Sequence, residues 1–384
     1  SGNRHSFKFK NKSDLTKLGY ELKEIISKKE NIPNLFEMEG SYSEREGILF
    51  NQFKFTLDGN SVTGEAKLKS FSNPEYSIKL DGIGFEANAK FVQGRESKLD
   101  FDESLAQDKR DNKSLGSTIL LQARKYNIPM PFTAPKWARK FTEDELSLRP
   151  HGGLGVDQGF EYGYWWVEWG GQLDTIKDNE IIRDELLSIL LGVWDHIKNS
   201  GNHQADNWAL DWFGFLPGKR ESRRFIGQHI INQKEIQESI PFKDAIAFGG
   251  WMIDTHPPEG VDAIDEKPAN QIEIDHIYDI PIRSCITEFP DNLMFAGRNI
   301  SATHIAFAST RVMATCFAIG QGVGTVAAYL SEKQISANKI INDPQSIKAI
   351  QQRLLRDDSY LIGIFNSDVN DLALKAKIKA SSEQ

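Results

Sequence analysis

The fold is decided by Asn292-Leu-Met-Phe-Ala-Gly-Arg-Asn-Ile-Ser-Ala-Thr-His-Ile-Ala-Phe-Ala-Ser-Thr-Arg-Val-Met-Ala-Thr-Cys-Phe-Ala-Ile-Gly-Gln-Gly-Val-Gly-Thr-Val-Ala-Ala-Tyr-Leu330. Within it, Leu293–Ala296 is an apolar run that stops at Gly297, and small and apolar residues continue from about Ser309. This pattern predicts a buried strand, a loop and a buried helix from about Ser309 to Leu330. Such a loop presents backbone N–H groups and the positive end of a helix dipole to any ligand above it.

The predicted helix is rich in glycine and alanine, so its surface carries little side-chain bulk. The small residues are Gly320, Gly322, Gly324, Ala314, Ala318, Ala327 and Ala328. They would allow another backbone or a flat ligand to approach closely. A tightly packed core helix without a ligand explains the same composition, so these residues alone leave both interpretations open.

Length and composition are typical of a soluble globular protein with room for two domains. The chain has 384 residues, of which 39% are hydrophobic and 26% charged. Its net charge of −8 gives no attraction for a polyanion, so we expect no nucleic-acid partner. Cys285 and Cys316 lie in apolar surroundings and predict buried thiols rather than a disulfide or a metal site. No run of 18 apolar residues occurs, so we expect no membrane-spanning segment.

Residues 1–92 have a different pattern from the rest. An apolar stripe predicts a helix over Ser13–Lys29. Alternating residues then predict an antiparallel meander, with strands at Phe36–Glu39, Ile48–Leu57, Val62–Leu68 and Tyr76–Leu80. The start lacks an initiator Met and a signal-peptide core, so we expect a processed or truncated N-terminus.

Part of this meander, Phe53–Leu68 followed by Asn73–Asp81, resembles the strand repeat of AsmA-like bacterial envelope proteins. Alternating strands occur in many unrelated proteins, so chance similarity explains the match equally well.

The central stretch resembles a known family. Residues 292–304 are similar to the last strand and helix of the FAD-binding half in a family of FAD-dependent oxidoreductases, and the resemblance extends from about Gly94 to Gln384. It implies FAD as the cofactor, with the Gly-Arg turn near the ribityl and pyrophosphate groups. The residues that it places at FAD are Gly297, Arg298, Asn299, Ser301, Ser309, Arg311 and Arg223.

One expected element of that family is missing from the sequence. A Gly-x-Gly-x-x-Gly loop normally brings the backbone close to the pyrophosphate, and we find no such motif. Asp81-Gly-Ile-Gly84 resembles the turn that precedes the family's Gly-Arg-Glu-Ser, which is Gly94–Ser97 here. A Gly-x-Gly after a strand is also an ordinary turn.

A second motif is Lys219-Arg-Glu-Ser-Arg-Arg-Phe-Ile-Gly227. Alternation predicts Arg220, Ser222 and Arg224 on one strand face, with Glu221 and Arg223 on the other. The motif resembles the family's strand beside the flavin, which favours a functional role over a solvated charge run.

Aromatic residues mark a third segment, Tyr162–Gly171. Alternation predicts that Tyr164, Trp166 and Glu168 share one strand face, which would suit a sugar or another flat polar substrate. An aromatic core strand is the alternative interpretation.

Histidines supply the candidates for proton transfer. Asp254 and His256 follow the apolar run that begins at Ala245, where a loop begins. The candidates for substrate orientation and proton transfer are Arg220, Glu221, His256 and His304. We expect Arg220, Glu221, His256, Arg298 and His304 to converge on one pocket.

These observations predict a mixed α/β fold: an incomplete FAD-binding domain of glutathione-reductase type with a substrate domain, preceded by the meander. The expected regions are an N-terminal helix with antiparallel strands over 1–92, which is either AsmA-like or a degenerate dinucleotide domain, the substrate domain 93–285, the flavin-contacting strand and helix 286–333, and a helical extension 334–384. The predicted function is FAD-dependent oxidation of a small polar, carbohydrate-like molecule by hydride transfer to flavin.

The alternative is a non-catalytic, envelope-associated AsmA-like fusion with a flavoprotein remnant. The missing glycine motif favours it, and the presence of Arg220–Arg224 and Gly297–His304 favours the enzyme. The sequence leaves open the substrate, the electron acceptor, the oligomeric state, and a cytoplasmic or periplasmic location.

Overall fold

The computed structural model describes residues 5–13, 34–43, 47–57, 60–69, 75–81, 89–151, 159–200, 203–290, 292–377 and 379–382. The chain divides into two compact units, Ser1–Asn88 and Ala89–Gln384.

The first unit contains an antiparallel meander. Its strands pair in chain order, and they are β1 His5–Ser13, β2 Asn34–Ser43, β3 Gly47–Leu57, β4 Asn60–Lys69 and β5 Glu75–Asp81. The four strands predicted after residue 33 are confirmed as β2 to β5. Of the predicted helix Ser13–Lys29, only Ser13 lies within the described residues, and it ends β1.

The strands of the second unit form small antiparallel pairs and one group of three. Those of the first half are β6 Phe91–Val92, β7 Ser117–Thr118, β8 Leu121–Lys125, β9 Glu168–Trp169 and β10 Trp208–Phe213. Those of the second half are β11 Gly218–Lys219, β12 Arg224–Phe225, β13 Ala245–Gly249, β14 Ile253–Thr255, β15 Asn270–Ile272 and β16 Tyr278–Pro281. The mixed helix and strand content confirms the α/β class.

Helices supply the long elements of this unit. The α-helices are α1 Lys98–Phe101, α2 Asn179–Asp195, α3 Gln233–Gln237, α4 His304–Thr310, α5 Met313–Lys333, α6 Ala337–Ile340 and α7 Pro344–Arg356. Single turns of 3-10 helix occur at Gly260–Asp262, Ile282–Cys285 and Leu372–Lys375, and a π-helical turn at His196–Ser200 continues α2.

Two hydrophobic clusters form the core. One gathers around α2, where Ile182, Leu186, Ile189, Leu190 and Val193 are fully buried, as their 3.6-residue spacing predicts. The other packs α4 and one face of α5 against β13 and β16. Gly322 of α5 makes that contact close, because a Cβ atom there would lie 2.5 Å from the carbonyl oxygen of Ile246 in β13.

The central stretch differs from its prediction in two ways. Leu293–Ala296 is not a strand: it makes a single antiparallel bridge, Met294 to Ile286, and a hydrogen bond from the Phe295 N–H to the Cys285 carbonyl. Because Met294 is the only residue of this run with a bridge partner among the described residues, no ladder of hydrogen bonds extends along it.

The predicted helix Ser309–Leu330 is also corrected. Helix α4 already begins at His304, because the Thr303 side chain caps it by accepting from the Ala306 N–H. The chain then breaks at Arg311–Val312 before α5 starts. Only one face of α5 is buried, and Met313 and Phe317 are exposed.

Helix α5 is long and apolar enough, by length and composition alone, to cross a membrane, with a mean hydropathy of 1.3. One face of the helix packs against β13, and the other face is exposed in the described part of the chain. The expectation of no membrane-spanning segment therefore stays a prediction.

Candidate active site

His256 lies between two carboxylates. Its Nδ1 is 2.8 Å from Oε2 of Glu168, and its Nε2 is 3.2 Å from Oδ2 of Asp254. Asp254 belongs to β14 and His256 follows that strand directly, whereas Glu168 comes from β9. Both imidazole nitrogens thus face carboxylate oxygens, an arrangement that stabilises the protonated ring.

Two arginines complete this charged cluster. Arg220 follows β11, which joins β9 through β7, and its guanidinium lies 3.4 Å from Oε2 of Glu168 and donates to the Trp165 carbonyl at 2.8 Å. Arg311 sits in the break between α4 and α5 and donates to Oδ2 of Asp254 at 2.9 Å. If His256 is protonated, three cations face two carboxylates, and an electron-rich ligand is favoured.

A cavity of about 280 Å³ opens at this cluster. It is lined by Trp165, Arg220, Trp251, Asp254, His256, Gln271, Arg311 and Val312. The volume is at the lower end of the range for small-molecule sites, about 300 to 1,000 Å³. The two indoles offer apolar surface beside polar groups, so the cavity suits a small polar ligand.

Several buried polar atoms of the cluster have no hydrogen-bond partner among the described residues. They are Oε1 of Glu168, Oδ1 of Asp254 and Nε of Arg311. A buried polar atom without a partner is costly, so these atoms are available to a ligand.

The cluster shifts the pKa of His256 upward. Burial alone would lower it, but the hydrogen bonds to Asp254 and Glu168 outweigh burial, while the charge of Arg220 opposes them. The pKa of Asp254 is lowered, because the contacts with His256 and Arg311 outweigh the opposing effect of burial. The imidazolium and the carboxylate therefore stabilise each other.

Glu221 and Arg224 form a second, buried network. The Glu221 carboxylate pairs with the Arg224 guanidinium and accepts from the Leu115 N–H at 2.8 Å. Arg224 also donates to Oε1 of Glu96 at 2.6 Å and to the Gly94 carbonyl at 2.8 Å. Arg224 therefore links the segment Gly94–Ser97 to the motif Lys219–Gly227.

The alternation predicted for this motif is wrong. Strands end at Lys219 and resume at Arg224, so residues 220–223 have no ladder to impose a period of two. Glu221 and Arg224 consequently meet each other, whereas Arg223 is exposed and lies over the Phe91 ring at 4.6 Å.

His304 begins α4 and joins the buried network. Its Nδ1 is 3.0 Å from Oε2 of Glu221, and its backbone N–H donates to Oε2 of Glu96 at 2.8 Å. His304 and His256 both line a second cavity of about 650 Å³. Of the five residues expected to converge, Arg220 and His256 share the smaller cavity, His256 and His304 share the larger, and Glu221 supports His304 from the core.

Arg298 lies elsewhere, beyond the lining of these two cavities. The pKa of Lys219 is lowered, mainly by burial and also by the positive charge of Arg298. Lys219 and Arg298 are therefore neighbouring cations. Burial also lowers the pKa of Arg298, with Cys316 of α5 and Glu221 opposing. In the described part of the chain, Arg298 takes part in no ion pair, which leaves it free for an anion.

The loop around Arg298 has open space. Gly297 has a φ of +89°, a conformation that glycine adopts without strain, and a Cβ atom there would meet nothing within 4 Å. Asn299 is half-buried, and its carbonyl accepts from the Phe225 N–H. Gly297 and Arg298 thus form the accessible part of the loop.

Other residues that the resemblance places at FAD are buried or already hydrogen-bonded within the protein. Ser301 is fully buried, and its backbone bonds to Ser284 and Ile231. Ser309 is also buried and uses its hydroxyl with Tyr278 at 2.6 Å. Arg311 is bound to Asp254 in the cluster around His256.

The aromatic face is corrected as well. Residues 165–166 form a turn rather than a strand, so Tyr164 and Trp166 both point into the core, where the Tyr164 hydroxyl donates to the Phe160 carbonyl. Glu168 reaches His256, and the aromatic residue of this segment that lines the cavity is Trp165. Trp165 and Trp251 were not selected from the sequence, although both stand beside glycines and charged motifs.

A scan against protein-family models finds a match over residues 81–354 to FAD dependent oxidoreductase. The chain belongs to this family. The match covers the whole charged cluster, the buried network and α5, and it confirms the resemblance seen in the sequence. Searches of curated proteins and of solved structures return no match.

Membership of the FAD dependent oxidoreductase family implies FAD as the cofactor. The loop at Gly297 and Arg298 fits such a cofactor, because it combines open space with a cation that has no ion-pair partner among the described residues. A phosphate oxygen is a natural partner for a guanidinium.

Proposed function

We propose that this FAD-dependent oxidoreductase oxidises a small polar, carbohydrate-like substrate held in the cavity at His256. The observation that carries the proposal is the imidazole of His256 between Glu168 and Asp254, at a cavity that two indoles and two guanidinium groups also line. Such a cavity can stack a sugar ring and bind its oxygens.

We assign proton transfer to His256. In its neutral form it accepts the hydroxyl proton of the substrate as a carbonyl forms, and the two carboxylates stabilise the resulting imidazolium. Arg220 and Arg311 bind substrate oxygens and orient the reacting carbon. Bound FAD supplies the acceptor for the hydride.

We assign FAD contact to the loop at Gly297. Gly297, Arg298 and Asn299 would hold the ribityl and pyrophosphate groups, with Lys219 adding positive charge. Ala89–Gln384 would then correspond to a substrate domain with the last part of an FAD-binding domain of glutathione-reductase type. The loop's free cation and open Gly297 position support this assignment.

Flavin reduction tests the proposal. FAD-loaded protein, mixed without oxygen with a panel of monosaccharides and sugar acids, should lose its visible flavin absorption with one of them. His256→Gln should slow this reduction by about 100-fold or more, the usual contribution of a general base. His276→Gln, at an exposed histidine, is the matched control. Equal rates in wild type and His256→Gln would disprove the role of His256.

The alternative function, an AsmA-like fusion with a flavoprotein remnant, is favoured by the meander β1–β5 and by the missing glycine motif. A visible absorption spectrum of the purified protein separates the two. Flavin absorption supports the enzyme, whereas its absence even after incubation with FAD supports the remnant.

A further inference from the structure

Three histidines and one glutamate converge at the end of α2, away from the residues assigned above. They are Glu143, His151, His196 and His203, and their ligand atoms all lie within 4.8 Å of one another. Each pair of imidazole rings has the same centroid separation, 5.1 Å, with interplanar angles of 61° to 69°. The rings therefore surround a common point.

Four of the separations between ligand atoms are close to those in a tetrahedral metal site. Nε2 of His196 is 3.2 Å from Nε2 of His203. Oxygens of Glu143 lie 3.0 Å from Nε2 of His196 and 3.4 Å from Nε2 of both His151 and His203. Bonds of about 2.0 to 2.1 Å from Zn²⁺ to nitrogen or oxygen require ligand atoms about 3.3 Å apart in a tetrahedron.

Backbone contacts fix two of the imidazoles in the tautomer that a metal needs. Nδ1 of His151 lies 2.6 Å from the Arg149 carbonyl, and Nδ1 of His196 lies 3.0 Å from the Phe141 carbonyl. A carbonyl accepts only, so each Nδ1 carries the proton and each Nε2 presents a lone pair inward. Metal-binding histidines are commonly oriented by such bonds.

The protein groups leave one of these nitrogens unsatisfied. Nε2 of His151 is buried, on a residue that is 5% exposed, and has no hydrogen-bond partner among the described residues. Its contact with Glu143 at 3.4 Å is too long for a good hydrogen bond. His196 and His203 likewise direct nitrogens at each other. A shared cation satisfies all of these atoms together.

We propose that Glu143, His151, His196 and His203 bind one Zn²⁺ ion in a structural site. Three imidazoles and one carboxylate complete a four-coordinate shell for this metal, which needs no further ligand. These ligands are dispersed in the sequence, since 45 positions separate His151 from His196, and no compact motif marks the set.

The ion would join three parts of the chain. His196 begins the π-helical turn after α2, His203 follows that turn, and Glu143 with His151 belongs to the segment that crosses it. The Pro150 carbonyl, beside His151, accepts from the Trp166 indole, next to the cavity residue Trp165.

Metal analysis of the full chain is the direct test. Protein stripped with a chelator, incubated with Zn²⁺ and dialysed should hold one ion per chain by mass spectrometry of the elements. Co²⁺ in its place should give the intense visible bands of a four-coordinate site. Zn²⁺ should also raise the midpoint of thermal unfolding.

Two variants and one control make the test specific. His196→Gln and Glu143→Ala should each lower Zn²⁺ affinity at least 10-fold, and Glu143 is exposed enough for its variant to fold. His229→Gln removes a histidine that is paired with Glu235 outside the cluster and should bind one ion like wild type. Circular dichroism establishes that each variant is folded.

Absence of cobalt bands in folded wild-type protein would overturn the proposal. So would zinc retained at one ion per chain in both folded variants, because the metal would then bind elsewhere. Zinc bound to wild type and to the control, and lost from Glu143→Ala, would support it.

Discussion

Nδ1 of His256 lies 2.8 Å from Oε2 of Glu168, and both side chains are almost fully buried. The pair predicts how proton transfer depends on pH. The pKa of His256 is raised above its usual value of about 6.5, so the neutral, proton-accepting form appears only as the pH rises past that value. We expect substrate oxidation to increase with pH through this raised pKa.

Two substitutions should move this pH profile in opposite directions. Glu168→Gln removes a carboxylate that favours the imidazolium, so the apparent pKa should fall. Arg220→Gln removes an opposing cation, so it should rise. The measurement is the pH dependence of kcat/KM, or the NMR titration of His256 when no substrate is at hand. Equal shifts of the apparent pKa in both variants would contradict the arrangement of charges around His256.

The same titration predicts a change in stability. A raised folded-state pKa contributes stability that is present below the unfolded value of about 6.5 and is lost as the pH rises through the folded value. Wild type should therefore lose stability relative to His256→Gln over that interval. Thermal unfolding at a series of pH values measures it, and parallel curves for the two proteins would refute it.

The buried Arg224 should be essential for stability. Arg224→Met leaves the carboxylates of Glu96 and Glu221 without their cation, and breaking a buried pair in this way costs about 3–5 kcal/mol. Arg223→Met, at the exposed neighbour, loses a cation–π contact worth about 1 kcal/mol or less. Urea unfolding compares the two. Similar losses in both variants would show that Arg224 is not the link between the motifs.

Two glycines of α5 should respond oppositely to alanine. Gly324→Ala meets nothing within 4 Å and should stabilise the protein by about 0.5–1 kcal/mol, because alanine favours helix. Gly322→Ala would press against the Ile246 carbonyl and should cost about 1–3 kcal/mol. Thermal unfolding gives both values. A loss of stability in Gly324→Ala would mean that the outer face of α5 is closely packed.

FAD affinity of the 384-residue chain should be weak. The sequence contains no Gly-x-Gly-x-x-Gly loop, and each charge-assisted hydrogen bond lost to the pyrophosphate costs about 1.5–3 kcal/mol. Several such losses lower affinity by about three powers of ten. Titration with FAD, followed by the fluorescence of the 8 tryptophans, measures it. Saturation at submicromolar FAD would reveal another phosphate-binding segment.

The sequence correctly predicted elements in which the spacing of apolar residues depends on the element itself rather than on distant contacts. The alternation of β2 to β5 was confirmed because the strands of a meander impose a period of two on their side chains. Leu293–Ala296 was wrong because a strand also needs a partner, and only Ile286 pairs with it. The alternation predicted for Arg220–Arg224 was wrong for the same reason, because residues 220–223 have no strand partner in the structure.

The site was predictable where one residue type carries the chemistry. His256 was selected, with Asp254 beside it, because its side chain suits proton transfer, and the structure adds the carboxylate of Glu168. The indole of Trp165 was missed because a turn, rather than a strand, decides which aromatic residue faces outward. The histidine cluster was missed because only the tertiary fold joins His151 to His196.

The contacts of Arg224 also determine where the oxidoreductase unit can be separated for expression. Residues 89–97 look like a linker, yet they supply Gly94 and Glu96 to this guanidinium, and Val92 pairs with it across β6 and β12. A fragment that starts at Ala89 keeps this charge balanced. A fragment that starts at Lys98 lacks Glu96, so Arg224 is buried with only the carboxylate of Glu221 to balance its charge. The boundary for expression therefore lies before residue 89.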